Sequence, residues 1–309
     1  MSLEGSEFAT PAGHRSGIVA VVGRPNVGKS TLINAFLKQK IAIVTPRPQT
    51  TRTRQLGILT DQMYQIVLVD TPGIMTPRHK LDEYMVETAI EVLEDADVVI
   101  WLVDGSAPLG PGDTAIAGQL SGLDDQASVI LAMNKADLLE PAEVLPRTEA
   151  YRALLPAATW ILMSATNGDG LDELLEMIVE RLPEGPRLYP ADQITDTFTR
   201  DIAAELIREQ VMLQLRDEVP YGVAVKVDEF KERPNEVVYI HATIFVERNA
   251  HKRILIGAKG SMLRRLGTEA RREIEAVLER RVFLELWVKV EPKWRRNARA
   301  LKRFGYTHQ

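Results

Sequence analysis

Gly23-Arg24-Pro25-Asn26-Val27-Gly28-Lys29-Ser30 sets two glycines, a lysine and a hydroxyl at a spacing suited to one chemistry, the holding of phosphate. In a G-x-x-x-x-G-K-S pattern the glycines let the backbone turn tightly enough to aim several N–H groups at phosphate oxygens. Lys29 brings a cation to the β and γ phosphates, and Ser30 supplies a hydroxyl ligand for the magnesium that accompanies them. An apolar strand, Ile18–Gly23, enters this stretch and an amphipathic helix, Gly28–Gln39, leaves it with Thr31 in its first turn. The positive end of that helix dipole adds to the attraction for an anion.

A phosphate loop alone leaves kinases, ATPases and GTPases open, and three later segments decide among them. Asp70-Thr71-Pro72-Gly73 closes a strand, where a carboxylate can hold magnesium through water and the Gly73 N–H can reach a γ phosphate. Asn134-Lys135-Ala136-Asp137 closes another, and the two oxygens of Asp137 can accept both N1–H and N2–H of guanine, a donor pair that adenine lacks. Ser164-Ala165-Thr166 ends a third, where the Ala165 N–H can bind the guanine oxygen O6. Polar strand endings are common singly; in series at the carboxyl ends of one sheet they mark a ligand crevice.

These segments resemble the G-motifs of translation-factor-like GTPases, and residues 17–182 resemble their Ras-like G domain. In Pro48-Gln49-Thr50-Thr51-Arg52-Thr53 a switch threonine should complete the magnesium shell. Thr51 is preferred because related GTPases place theirs just before an arginine, and Thr50 is the alternative. Ras-like enzymes follow DxxG with a glutamine that orients the attacking water, but this chain has Ile74, whose alkyl group cannot hydrogen-bond water. In relatives that share GxPNxGKS, the asparagine helps to bind a potassium ion where an arginine finger would stabilise charge. The resemblance thus implies slow, magnesium-dependent GTP hydrolysis stimulated by potassium, with Asn26, Lys29, Thr51 and Gly73 as the catalytic set. A loop-stabilising role is the alternative for Asn26.

The elements that must position these residues follow from periodicity. Strands are expected at Ile18–Gly23, Gln55–Leu59, Tyr64–Asp70, Asp97–Asp104, Ser128–Asn134 and Thr159–Ser164, interleaved with helices at Gly28–Gln39, Leu81–Ala96, Asp113–Leu123, Pro141–Leu154 and Leu171–Leu182. The second and third strands have no helix between them, which predicts an antiparallel edge on an otherwise parallel six-stranded α/β sheet. Residues 1–16 read as a disordered extension or leader. Four prolines and glycines between Pro183 and Pro190 mark residues 183–200 as a linker.

After the linker the pattern becomes α+β over residues 201–291: a helix, two strands, helices on either side of Gly257-Ala258-Lys259-Gly260, and a strand at Val282–Val290. A G-x-x-G between helices is the loop with which KH domains clamp a single-stranded nucleic-acid backbone, and the element order resembles the type II KH domain. The surrounding charge supports this. The whole chain of 309 residues carries a formal net charge of −5, which taken alone points away from nucleic acid. From Arg248 to Gln309, however, 17 Lys and Arg face 6 Asp and Glu, a net of +11, while residues 1–247 hold 21 and 37, a net of −16. Lys252, Arg253, Lys259, Arg264, Arg265, Arg271 and Arg272 bracket the loop, and the candidate RNA site is Lys252, Arg253, Lys259, Arg264 and Arg265 with Ile256, Gly257, Ala258 and Gly260. Ile254, Leu255 and Ile256 are expected as its groove floor, in part as ordinary core. Residues 292–309 form a basic tail that either touches RNA or the ribosome or is a solvated helix.

There is no cysteine, which excludes disulfides, thiolate metal sites and a cysteine nucleophile. The combination of GRPNVGKS, PQTTRT, DTPGI, NKAD, a KH domain and LELWVKV resembles the Era family of bacterial GTPases over about residues 17–306. That resemblance implies a ribosome-assembly factor that binds GTP or GDP with Mg2+, contacts the 3′ end region of 16S rRNA in the 30S subunit, and is cytoplasmic and partly peripheral at the inner membrane. A monomer is expected. The rivals are a tRNA-modifying or membrane-transport GTPase with the same G domain, and a P-loop ATPase or kinase.

Overall fold

The computed structural model describes residues 10–47, 50–74, 76–123, 128–233 and 236–307. Most of the expected N-terminal extension, Pro48 and Gln49 of the switch segment, and the last two tail residues lie outside the described residues. The chain divides into two compact units, one of Met1–Ala42, Thr51–Thr76 and Met85–Asp196, the other of Ile43–Thr50, Pro77–Tyr84 and Thr197–Gln309.

The first unit is built on β1 (Arg15–Val22), α1 (Lys29–Leu37), β2 (Gln55–Thr60) and β3 (Tyr64–Asp70). It continues through α2 (Lys80–Glu94), β4 (Val98–Asp104), α3 (Pro111–Leu120) and β5 (Val129–Asn134), then α4 (Pro141–Arg152), β6 (Thr159–Leu162) and α5 (Leu171–Arg181). The sheet order is β2-β3-β1-β4-β5-β6, and β2 alone runs antiparallel to its neighbour. Strands covered on both faces must be apolar throughout, which is why β4 reads VVIWLVD and buries every residue but its last. Alternate side chains of the same strands feed two separate cores, Trp101 and Met133 in one, Ile100 and Ala132 in the other.

Most boundaries differ from expectation by one to three residues, α3 running from Pro111 to Leu120 where Asp113–Leu123 was expected. β1 begins at Arg15, two residues before the expected domain start. β6 stops at Leu162 because Ser164 turns back, its N–H bonding Asp169 O at 2.9 Å. The proline-rich stretch expected to be a linker is fastened to the first unit over most of its length. The buried Gln65 accepts the Leu188 and Tyr189 N–H groups at 2.7 and 2.8 Å and donates to Tyr189 O at 2.9 Å, and Ile58 N–H reaches Ile194 O at 2.7 Å. Prolines lack the N–H for a ladder, so a side chain supplies the missing pairing.

The second unit comprises α6 (Thr199–Gln214), β7 (Val223–Glu232), β8 (Val238–Val246), α7 (Asn249–Ile256), α8 (Ser261–Leu278), β9 (Val282–Val290) and α9 (Ala298–Arg303). β8 is central, antiparallel to β7 and parallel to β9, and one apolar core lies under α6 and α8. This is the order expected of a type II KH domain. Part of the expected switch segment belongs to this unit. Ile43 sits in its core, Val44 N–H donates to Glu209 Oε1 at 2.9 Å, and the fully buried Arg208 bridges Glu205 and the Thr50 carbonyl.

Of the two readings of the tail, a wholly solvated helix does not hold. Trp294 is completely buried, donates Nε1–H to Gly222 O at 2.9 Å and stacks on Tyr306 with ring centroids 5.9 Å apart. Phe304 packs on Phe245 at 4.6 Å, and Arg295 pairs with Glu247 at 2.6 Å. Removing a buried indole leaves a cavity and an unpaired carbonyl, so Trp294→Ala should destabilise the second unit by about 3–5 kcal/mol. Urea unfolding of the full chain checks this; an unchanged midpoint would show that the tail contributes nothing to the core.

Candidate functional site

The phosphate loop starts where β1 runs out of room. Gly23 passes so near β4 that a Cβ there would lie 2.2 Å from Leu102 O, and Gly28, at φ 106°, leaves only 2.3 Å between such a Cβ and Asn134 Nδ2. Only glycine satisfies both. Asn26, exposed between them, has φ 67°, a left-handed backbone that asparagine tolerates. Val27 and Lys29 are buried, Arg24 and Pro25 half-buried, and Thr31 half-buried in the first turn of α1. Lys29 Nζ donates to Gly23 O and Arg24 O, both at 3.0 Å, so the lysine closes its own loop.

Ser30, Thr51 and Asp70 meet beside it. Ser30 Oγ donates to Asp70 Oδ2 at 2.6 Å, Thr51 Oγ1 donates to the same oxygen at 3.0 Å, and the two hydroxyls are 3.1 Å apart. Thr50 turns elsewhere, to Arg47 O and Thr45 Oγ1, each at 2.8 Å, so the structure brings Thr51 and not Thr50 to the cluster. Among the described residues, Asp70 Oδ1 is buried with no hydrogen-bond partner. Two hydroxyls and a carboxylate with an unused oxygen suit a hard divalent cation that takes its remaining ligands from water and phosphate, as magnesium does. Thr71 anchors the end of β3 through Val21 O at 2.8 Å, Pro72 is buried, and a Cβ on Gly73 would lie 2.7 Å from Pro25 Cγ. Ile74 is packed into the core, which leaves no polar group at that position to orient water.

The base site lies at the ends of β5 and β6. Asn134 donates Nδ2–H to Val27 O at 2.8 Å and accepts the Ala165 N–H at 2.9 Å, joining the phosphate loop to the segment after β6. Ser164 Oγ donates to Asp137 Oδ1 at 2.6 Å, which fixes an exposed carboxylate in one orientation. Lys135, at φ 65°, donates to Asp104 Oδ2 at 2.5 Å, and Ser106 holds the other Asp104 oxygen at 2.6 Å. Burial opposes the Asp104 charge, but Lys135 and Ser106 outweigh it and lower the pKa. Asp104 was not among the expected site residues; its one sequence signal is a carboxylate closing the strand that pairs with β5 at Asn134.

In the second unit Gly257 and Gly260 take φ of 72° and 78°, with Lys259 at 52° between them. Ala258, Lys259, Arg253, Arg264 and Arg265 are exposed, and Lys252 is half-buried. Of the expected groove floor, Leu255 is core, Ile256 packs partly against it, and Ile254 is exposed.

Comparison with known proteins gives the same division. Residues 18–135 match the family described as 50S ribosome-binding GTPase, and residues 218–295 match the KH domain family. GTPase Era of Halothermothrix orenii is 50% identical over 295 residues, covering 95% of this chain and 99% of that protein. GTPase Era of Geobacter sp. strain M21 is 47% identical over 94% of this chain and 98% of its own length. Among solved structures, a variant of Aquifex aeolicus Era bound to GDP and AlF4− superposes with a TM-score of 0.91 at 41% identity, covering 95% of this chain and 100% of that one. Era in complex with MgGDPNP and nucleotides 1506–1542 of 16S ribosomal RNA also gives 0.91 at 41% identity, covering 96% and 100%.

The electrostatics of the phosphate loop carry a consequence for pH. Burial outweighs the attraction of Asp70 and lowers the Lys29 pKa to about 8, and burial also pushes Asp70 up. A polyphosphate against the ammonium favours the charged form and draws that pKa back up. The protonated lysine is therefore the binding form: nucleotide affinity should be level below about pH 7 and fall as the pH rises through 8, approaching about tenfold per pH unit. Calorimetric titration in two buffers of different ionisation heat should show proton uptake on binding above pH 8. Level affinity without proton uptake would refute it.

Proposed function

We propose that this chain, which belongs to the Era family of GTPases, is a magnesium-dependent GTP switch that binds the 3′ end region of 16S rRNA and acts in assembly of the small ribosomal subunit. The observation that carries the nucleotide half is the meeting of Ser30, Thr51 and Asp70 within 3.1 Å beside the Lys29 ammonium. Bound Mg2+ would supply charge neutralisation between the β and γ phosphates, held by Ser30 and Thr51, with Asp70 as carboxylate partner. Lys29 neutralises phosphate, the Gly73 N–H faces the γ position, and Asp137 selects guanine.

Ile74 stands where the water-orienting glutamine would be, and it is packed inward. Intrinsic hydrolysis is accordingly slow, and potassium near Asn26 is proposed to stabilise charge in the transition state. The left-handed backbone already favours asparagine at this position, so potassium needs its own test. Faster turnover in potassium than in sodium buffer is expected, and equal turnover would leave Asn26 with the loop role alone.

The RNA half is supported by the exposed basic G-x-x-G loop and by the relative bound to 16S rRNA nucleotides 1506–1542. GTP with magnesium is proposed to order the segments around Thr51 and Gly73 and so alter RNA affinity; the same affinity with GTP, GDP and no nucleotide would remove that coupling. Asp137→Asn should move nucleotide preference from guanine to xanthine, read on a nucleotide panel, and no shift would undo the base-recognition assignment. Lys259→Ala should weaken RNA binding and reduce the slope of log affinity against log salt by about 1. An unchanged slope would take that lysine off the phosphates.

A further inference from the structure

Arg24 belongs to the phosphate loop, yet its side chain reaches the first turn of α3. Its Nε–H donates to Asp113 Oδ1 at 2.8 Å. The Asp113 carboxylate is fully buried, and its second oxygen accepts the Gly110 N–H at 2.9 Å and the Tyr151 hydroxyl at 3.3 Å. Tyr151 is itself immobilised, fully buried with its ring edge-on to Trp101 at 6.1 Å. Both carboxylate oxygens are thus occupied, and the carboxylate cannot rotate without breaking one of these bonds. Removing the cation would leave a buried anion unpaired, so Arg24 is held as firmly as it holds.

The geometry on either side gives this ion pair a direction. A Cβ on Gly112 would lie 2.7 Å from Arg24 Cδ, so the arginine stem lies flat against α3 only because residue 112 has no side chain. The next residue, Pro25, abuts Gly73 so closely that a Cβ there would meet its ring at 2.7 Å. Arg24 O also accepts from Lys29 Nζ at 3.0 Å. We propose that Asp113 and Tyr151 are positioning residues for GTP hydrolysis: through Arg24 they hold the Pro25–Asn26 turn against Gly73 and keep the Arg24 carbonyl on Lys29. They touch neither nucleotide nor metal.

The electrostatics agree with the geometry. Burial disfavours the Arg24 charge, but Asp113 outweighs it and raises the pKa; burial and then Asp113 push the Tyr151 phenol up to about 12, so it remains a donor. The other end of the loop has its own anchor, Asn134 on Val27 O, and the base site has its own bonds. Loosening Arg24 therefore disturbs the γ-phosphate side of the loop and spares the grip on guanine.

The inference rests on the reading that this loop holds GTP, and the test separates the two. In the full chain, Arg24→Lys and Asp113→Asn should each lower kcat about tenfold while KM for GTP and affinity for GDP stay within about threefold. Tyr151→Phe, which keeps the packing and removes only the hydroxyl, should lower kcat by about twofold. The double variant Arg24→Lys with Asp113→Asn should be no slower than the slower single variant, because both break one link. A fall in activity that only follows the loss of folded protein, a raised KM at unchanged kcat, or additive effects in the double variant would each overturn the proposal and leave Asp113 as a cap of α3. A wild-type chain that does not hydrolyse GTP would overturn the underlying reading instead.

Discussion

A loop that offers its amides to phosphate cannot use those amides to hold itself in place. Most of what surrounds the nucleotide site is an answer to that constraint. Lys29 holds Gly23 O and Arg24 O, Asn134 holds Val27 O, and Asp113 holds the Arg24 side chain. Lys29 belongs to the loop itself, while the other two anchors come from β5 and α3, so elements brought alongside by the sheet's parallel order share in fixing it. The bonds named here use the loop's carbonyls and side chains rather than its N–H groups. Close approach completes the support: Gly23, Gly28 and Gly73 each face a neighbour that a Cβ would strike.

The same arrangement makes the site a source of instability. An ammonium whose pKa falls from 10.5 to about 8 is charged at neutral pH at a cost of roughly 3 kcal/mol relative to its place in water. Asp70 adds a carboxylate that burial pushes up, with one oxygen unpaired. Both groups have lost hydration on burial, and a magnesium polyphosphate supplies the charges that compensate them. The fold tolerates the deficit because the two cores on either side of the sheet are large and continuous.

What could be read from the sequence was what is local to it. The strand ends carry contiguous motifs, and wholly apolar runs reveal buried parallel strands, so Lys29, Asp70, Asn134 and Asp137 were placed without coordinates. Asp113 and Tyr151 could not be, because they are 89 and 38 residues from the groups they serve and neither lies in a recognisable pattern. Asp104 escaped for the same reason, its partner Lys135 being 31 residues away. Thr50 and Thr51 are adjacent and chemically equivalent; only the turn of the chain, which sends one hydroxyl to Thr45 and the other to Asp70, separates them. The tail misled because its charges are dense, while its few apolar residues, Trp294, Leu301 and Tyr306, decide its position.

The charge of the C-terminal region also acquires a location. Its net of +11 is spread over 62 residues in sequence, and four of its 17 cations are paired: Arg272 with Glu269, Arg280 with Glu232, Arg295 with Glu247 and Arg303 with Glu291. Among the described residues, Arg253, Lys259, Arg264 and Arg265 have no carboxylate within ion-pair distance, and all four are exposed beside the two glycines. Exposed ion pairs contribute little to stability, about 0–1 kcal/mol each, so their larger effect is to cancel charge away from the loop. Counterion release rewards only cations that reach phosphate. Four exposed cations without a carboxylate partner therefore stand where a backbone can be clamped, and a whole-chain net charge of −5 is compatible with binding a polyanion.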